Sequence, residues 1–218
     1  ICFSLSAVAL NNARSAEITV TITLDEFDVS QALDTGSGSP AMDTVSDASL
    51  PGGERKLTLE TTTATFFNRL RTATYIPTGN TDLLLSTEPG DSSTSTITYD
   101  KVTDFDVTAG GGTHFFIDLD NLDGDADWTV SLWDGVTTES SMLSLSGGAS
   151  GDVLIPFSNF SSVDLTSLDS IEFSIESTDV SGGLDFAIDS YGVGVIPEPS
   201  SATLLGLATA AFILRRRR

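Results

Sequence analysis

The chain has 218 residues, enough to enclose one sizeable core. Its 31 Asp and Glu against 10 Lys and Arg give a formal charge of −21, and a surface of that sign repels phosphate backbones, which excludes nucleic acid as a partner. One Cys, Cys2, and one His, His114, leave no intrachain disulfide, no His-rich zinc site and no Ser-His-Asp triad that does not use His114 itself.

Residues 1–10 are apolar and uncharged, and they run into Asn11-Asn12-Ala13-Arg14-Ser15-Ala16. Small residues at 13 or 15 and at 16 suit the −3/−1 pocket of a signal peptidase, so residues 1–16 read as the back half of a signal peptide cut after Ala16. The other reading, a buried first strand or helix, suits the polar stretch 11–16 poorly.

From Glu17 onward the dominant apolar period is two. Ile18, Val20, Ile22 and Leu24 alternate with Thr19, Thr21 and Thr23, the pattern of a strand with one face buried and one wet. The same reading applies to Leu57 with Leu59, Ile97 with Tyr99, Phe115 to Leu119 and Trp128 to Leu132. Further runs are Leu143 with Leu145, Val153 to Phe157, Ile171 to Ile175 and Leu184 to Ile188. About ten strands result, punctuated by Gly, Pro and Asp-Gly turn chemistry. No apolar period of 3.6 long enough for a core helix precedes Ser200, although short helical turns are expected near 66–70 and 157–163. Residues 34–53, low in hydrophobics, read as a long loop. The expected fold is all-β, a two-sheet antiparallel β-sandwich of jelly-roll type over residues 17–194, in preference to a closed barrel.

Three constellations in this body carry chemistry. Asp118, Asp120, Asp123, Asp125 and Asp127 put five carboxylates into ten residues, across the loop expected between the Phe115 and Trp128 strands, and hard oxygen ligands at that density suit Ca²⁺. The spacing is not an EF-hand: counting from Asp123 puts Trp128 at the glycine position, and counting from Asp118 puts Leu122 at a ligand position. The competing reading is a solvated acidic hairpin. Trp128 shares parity with Val130 and Leu132 and belongs to the core. Trp133 has the opposite parity and is the expected platform for stacking against sugar rings, with Tyr99 and Tyr191 as weaker candidates; strand-end aromatics that merely cover the sandwich edge are the alternative. His114 reads as a surface strand residue rather than a catalyst.

Glu26-Phe27-Asp28-Val29-Ser30-Gln31 resembles the Glu-x-Asp-x-x-Glu strand of jelly-roll glucanases, with Gln31 where the proton-donating Glu belongs. The body as a whole resembles exported galactose-binding-like jelly rolls through Leu24-Asp25-Glu26-Phe27-Asp28, Gly52-Gly53-Glu54-Arg55 and the run from Asp164 to Ile171. Many carbohydrate-binding modules share that fold, and fold alone does not license function.

Residues 200–214 are uncharged and rich in Leu and Ala. As a helix they span roughly 22 Å against a bilayer core of roughly 30 Å. Arg215, Arg216, Arg217 and Arg218 follow directly, which sets that end on the cytoplasmic side and the acidic body outside. Pro197-Glu198-Pro199, then an apolar helix containing Leu204, Leu205, Gly206 and Leu207, then the arginine cluster, resembles the PEP-CTERM sorting signal. A plain tail anchor would explain the helix and the arginines but not Pro-Glu-Pro.

The resemblance divides the chain into a signal peptide remnant (1–16), a β-sandwich domain (17–194) and a sorting tail (195–218). It implies signal peptidase and exosortase as partners, transient residence in the inner membrane, and a final place at the cell surface or in the extracellular matrix. The expected function is non-catalytic interaction with extracellular polysaccharide, without a cofactor unless Ca²⁺ binds. A jelly-roll glycoside hydrolase and a purely structural surface protein are the alternatives.

Overall fold

The computed structural model describes residues 18–35, 40–61, 68–74, 81–100, 102, 104–178 and 183–196. The expected signal peptide, the Pro197-Glu198-Pro199 motif, the apolar C-terminal helix and the arginine cluster lie outside the described residues. Among the described residues no helix is long and apolar enough to cross a membrane.

Two antiparallel sheets face each other. In spatial order the first holds β11 (Gly151–Pro156), β8 (His114–Asp123), β13 (Asp185–Val195), β6 (Thr81–Ser86), β5 (Asn68–Thr74) and β2 (Ala32–Thr35). β1 (Thr19–Asp25) joins it by pairing with the far half of β13. The second sheet holds β10 (Thr138–Leu145), β9 (Ala126–Trp133), β12 (Ser170–Ser177), β7 (Ser93–Tyr99), β4 (Glu54–Thr61) and β3 (Ala41–Ser46). This is the expected two-sheet sandwich of jelly-roll type.

The period-two apolar sets meet in the interior. Trp128, Val130 and Leu132 of β9 register against Ile175, Phe173 and Ile171 of β12, and Phe173 and Ile171 in turn against Ile97 and Tyr99 of β7. From the opposite sheet come Phe115, Ile117, Leu119, Leu83, Leu85, Ile188 and Tyr191. Phe173 sits at the centre, stacked on Tyr191 at 4.4 Å and on Trp128 at 6.5 Å. Such ring pairs add about 0.5–1.5 kcal/mol each beyond the area they bury.

Four strands depart from the sequence reading. β3 forms inside the stretch expected to be a loop, where an edge strand with one exposed face has little need of apolar residues. β2, β5 and β6 were not expected either, and Asn68 to Leu70 is strand rather than helical turn. The other expected turn is a short 3-10 turn, Phe157–Asn159. β8 continues to Asp123 and β9 begins at Ala126, so the presumed acidic loop is mostly strand. Gly124, at φ 103°, makes the crossing between sheets in the left-handed region that favours glycine.

One charge lies deep in this core. Arg55, fully buried, donates from Nη1 to Asp25 Oδ1 (2.9 Å) and Oδ2 (2.8 Å), from Nε to Gln31 Oε1 (3.0 Å), and from Nη2 to the Val29 carbonyl. The Asp25 carboxylate also accepts the Tyr99 hydroxyl (2.6 Å) and the Phe27 N–H (2.7 Å). Phe27, held at φ 56°, places its ring 5.4 Å from the guanidinium carbon. The Leu24 to Asp28 and Gly52 to Arg55 strings are therefore two halves of one buried ion pair that ties the first strand to the second sheet.

Candidate functional site

The outer face of the first sheet is built around two interruptions of its ladder. Between β8 and β13 the register pairs Ala187 with Asn121, Ile188 with Leu119 and Ser190 with Asp118. Asp120 and Asp189 are therefore the extra residues at successive register shifts, and such bulges re-aim side chains. On β6 Leu83 pairs with Ile188 and points inward, so Asp82 turns to the outer face beside Asp189. Asp118, directly opposite Asp152 of β11, completes an acidic row across four strands.

This row holds charge under strain. Asp82 is fully buried, and neither of its carboxylate oxygens, nor Asp120 Oδ2, receives a hydrogen bond from a protein donor. Burial, the adjoining Asp120 carboxyl and the charges of Asp189 and Asp118 push Asp82 up to about 7. Burial first, then Asp152, Asp189 and Asp120, raises Asp118 to about 6.

A cavity of about 550 Å³ opens at the same place, because β1 and β6 flank β13 on one side and leave a gap where one takes over from the other. Glu26, Asp28 and Asp189 line it with Thr23, Thr81 and Phe116. Phe116 can lie across β13 there because Gly192 has no side chain: a Cβ at 192 would stand 2.5 Å from the Phe116 ring and 2.5 Å from the Ile22 carbonyl. An adjoining cavity of about 240 Å³ shares Thr23, Glu26 and Asp28.

On the opposite face of the sandwich Trp133 ends β9 with 43 % of its surface exposed. It registers between Thr138 of β10 and Ser170 of β12, and beside it a shallow cavity of about 250 Å³ is lined by Ser131, Thr138, Ser170 and Glu172. The loop after it is set by Asp134. That carboxylate accepts the N–H groups of Val136 (3.0 Å), Thr137 (2.6 Å) and Asp164 (2.8 Å), which hold it below the usual carboxylate range. The Trp133 carbonyl accepts the Asp169 N–H at 2.8 Å. The run from Asp164 to Ile171 thus braces the platform.

The sequence candidates separate accordingly. Trp133 is where its parity placed it, and Trp128 is buried in the core. Tyr99 and Tyr191 are corrected: both are core residues, one donating to Asp25 and the other stacked on Phe173. The five aspartates do not form one cluster. Asp118 and Asp120 stand on the first sheet, whereas Asp127 lies on the second, its Oδ1 accepting from Ser144. Asp125 takes the Gly147 N–H, and Asp123 is exposed at the end of β8. Among the described residues no group of three or more His, Cys, Asp or Glu is arranged to hold a metal ion. Sequence reasoning missed Asp82 and Asp189. His114 is half-buried, with burial lowering its pKa.

Residues 195–218 match the family model of the PEP-CTERM protein-sorting motif. The chain carries a PEP-CTERM sorting tail. That motif marks it for export and sorting to the cell surface. The sandwich is similar to a family 11 carbohydrate-binding module of the cellulosomal cellulase Lic26A-Cel5E of Clostridium thermocellum, at 13 % identity over 83 % of this chain and 99 % of that one, with a TM-score of 0.40. It is also similar to TmCBM61, solved in complex with β-1,4-galactotriose, at 12 % identity over 63 % of this chain and 86 % of the other, with a TM-score of 0.40. No curated protein matches the chain in sequence.

Proposed function

We propose that this PEP-CTERM protein is a non-catalytic glycan-binding module, processed by an exosortase that reads Pro197-Glu198-Pro199 and left at the cell surface to hold extracellular polysaccharide. The observation that carries the reading is Trp133. Its half-exposed indole stands beside one shallow cavity lined by the hydroxyls of Ser131, Thr138 and Ser170 and by the Glu172 carboxylate. An indole offers an apolar plate for the C–H face of a sugar ring, and the surrounding oxygens suit its hydroxyls. Hydrogen bonds to the Asp134 carboxylate and to the Trp133 carbonyl brace the adjoining loop, which lowers the ordering a ligand would have to impose. Absence of catalysis is supported by Gln31, which stands where the glucanase strand has its acid and is buried against Arg55.

A hydrolase is the second reading, favoured by the raised carboxyls of Asp118 and Asp82. Release of reducing ends from any polysaccharide the protein binds would establish it in place of the first.

The test is a glycan array probed with the purified protein and two variants. Trp133→Ala is expected to melt within a few degrees of wild type and to lose the glycan binding. Trp128→Ala removes a stacked core ring and is expected to cost about 3–5 kcal/mol. Unfolding of both variants alike would show Trp133 to be structural and remove the platform.

A further inference from the structure

We propose that the shallow cavity beside Trp133 belongs to a longer track across the outer face of the second sheet, and that this track takes an uncharged, extended polysaccharide segment of about four or more sugar units. The inference rests on the glycan-binding reading of Trp133 and adds the length, charge and shape of the ligand.

The strand registers set the track. Ser140 of β10 pairs with Ser131 of β9, Ser131 with Glu172 of β12, Glu172 with Thr98 of β7, and Thr98 with Lys56 of β4. Directly paired residues share a face, so these side chains form one row across the strands. Within it the Ser140 hydroxyl donates to Ser131 (2.9 Å) and the Thr98 hydroxyl to Glu172 (3.3 Å). Strand spacings of about 4.8 Å make the row roughly 19 Å long, and each spacing is close to the advance of one pyranose in an extended chain. Trp133, exposed and two residues along β9 from Ser131, flanks the row on one side. Thr129, Ser174, Thr96 and Thr58, in register with one another, flank it on the other side without a charge.

A sugar stacked on the indole therefore leaves its neighbours in the chain over Glu172, Thr98 and Lys56. There a carboxylate accepts from sugar hydroxyls and an ammonium group donates to them. Among the described residues the ion pairs are made by Arg55 and Arg69, which leaves the Lys56 ammonium to a ligand. Asp127, Glu176 and Glu60 lie one row further on, and with Glu172 they outnumber Lys56, so this face repels an anionic polymer. A coiling α-linked chain leaves a straight row, whereas an extended β-1,4-linked one follows it.

The protein is titrated calorimetrically with β-1,4-linked oligomers of glucose, mannose and xylose of two, four and six units. Maltohexaose tests the linkage, and a β-1,4-linked mannuronate hexamer, which differs from the mannose hexamer only in its carboxylates, tests the charge. At least one neutral series is expected to bind, its hexamer at least about tenfold more tightly than its dimer and than maltohexaose or the mannuronate hexamer. Lys56→Ala with Thr98→Ala should bring the hexamer to within about twofold of the dimer and leave the dimer unchanged. Arg69→Ala, which removes an exposed cation from the other sheet, should alter neither, and Trp133→Ala should weaken every length. Circular dichroism confirms that each variant is folded.

Affinity independent of length overturns the proposal, as does maltohexaose or mannuronate bound as tightly as the neutral hexamers. So does a length dependence that survives Lys56→Ala with Thr98→Ala, or one that Arg69→Ala removes equally. In each of these cases a loss of binding with Trp133→Ala leaves the glycan reading standing on a smaller site. Binding on the glycan array confined to charged or α-linked glycans, with all three neutral series inert, likewise removes this inference alone. No saccharide binding on the array or in titration removes both.

Discussion

Arg55 shows what a sequence does not reveal about a single residue. Its type is almost never buried unless paired, and its partner Asp25 is remote in the chain, so the ion pair appears only when β1 and β4 are brought together. Removing one member of such a pair strands the other charge. Arg55→Met should therefore cost about 3–5 kcal/mol in denaturant unfolding, whereas Tyr99→Phe, which deletes one donor to the Asp25 carboxylate, should cost about 1.5–3 kcal/mol. A neutral Arg55→Met would mean that the pair does not organise the core. Tyr99 is misjudged in another way: it shares parity with Ile97, which puts it inside with the core, and the reading of its ring as a sugar platform sets that parity aside. Trp133 is exposed as its parity predicts, because one uninterrupted strand, β9, carries both tryptophans.

Interrupted strands gave less away, and the acidic face depends on two of them. The alternation Phe115, Ile117, Leu119 resumes at Leu122, and Phe186, Ile188 resumes at Tyr191. Each break of phase is a register shift visible in the sequence, and each admits an extra aspartate to the outer face. Asp82 is hidden because Leu83, Leu84 and Leu85 show no alternation, and among the described side chains of β5 beside it Leu70 alone reaches the core. The cluster has a measurable consequence. Asp82 titrates near 7 in the fold against 3.8 for the free group, so between those values the folded chain keeps a proton that the unfolded chain has released. Stability is therefore greatest on the acid side of this window and falls as pH rises through about 7, with Asp118 adding a change of the same sign. The urea midpoint should be lower at about pH 8 than at about pH 5, and Asp82→Asn, neutral at both, should flatten the difference. If wild type and variant show the same slope, general repulsion among the acids governs the pH response rather than this buried carboxyl.

Across the whole molecule charge is segregated by segment: all 31 acids lie between Glu17 and Glu198, and four of the ten basic residues form the last four positions. An acidic body followed by an arginine cluster is the distribution for which the positive-inside rule predicts the body outside and the arginines on the cytoplasmic side, and the sorting motif occupies the junction between them. Because β13 ends at Val195, the Pro-Glu-Pro segment begins directly where the sandwich closes, and changes within it should not disturb the fold. Glu198→Ala is accordingly expected to melt like wild type. In a host with the matching exosortase it should nevertheless accumulate as an uncut, membrane-retained precursor, seen as a larger band in the membrane fraction with an antibody against the sandwich. Deletion of Arg215 to Arg218 should act at an earlier step, impairing orientation or retention in the membrane before the motif can be read. Wild type and Glu198→Ala processed to the same size and delivered to the same place would mean that the motif is not read in this chain. An arginine deletion that changes nothing would remove the topological half of the argument and leave recognition to Pro197-Glu198-Pro199 alone.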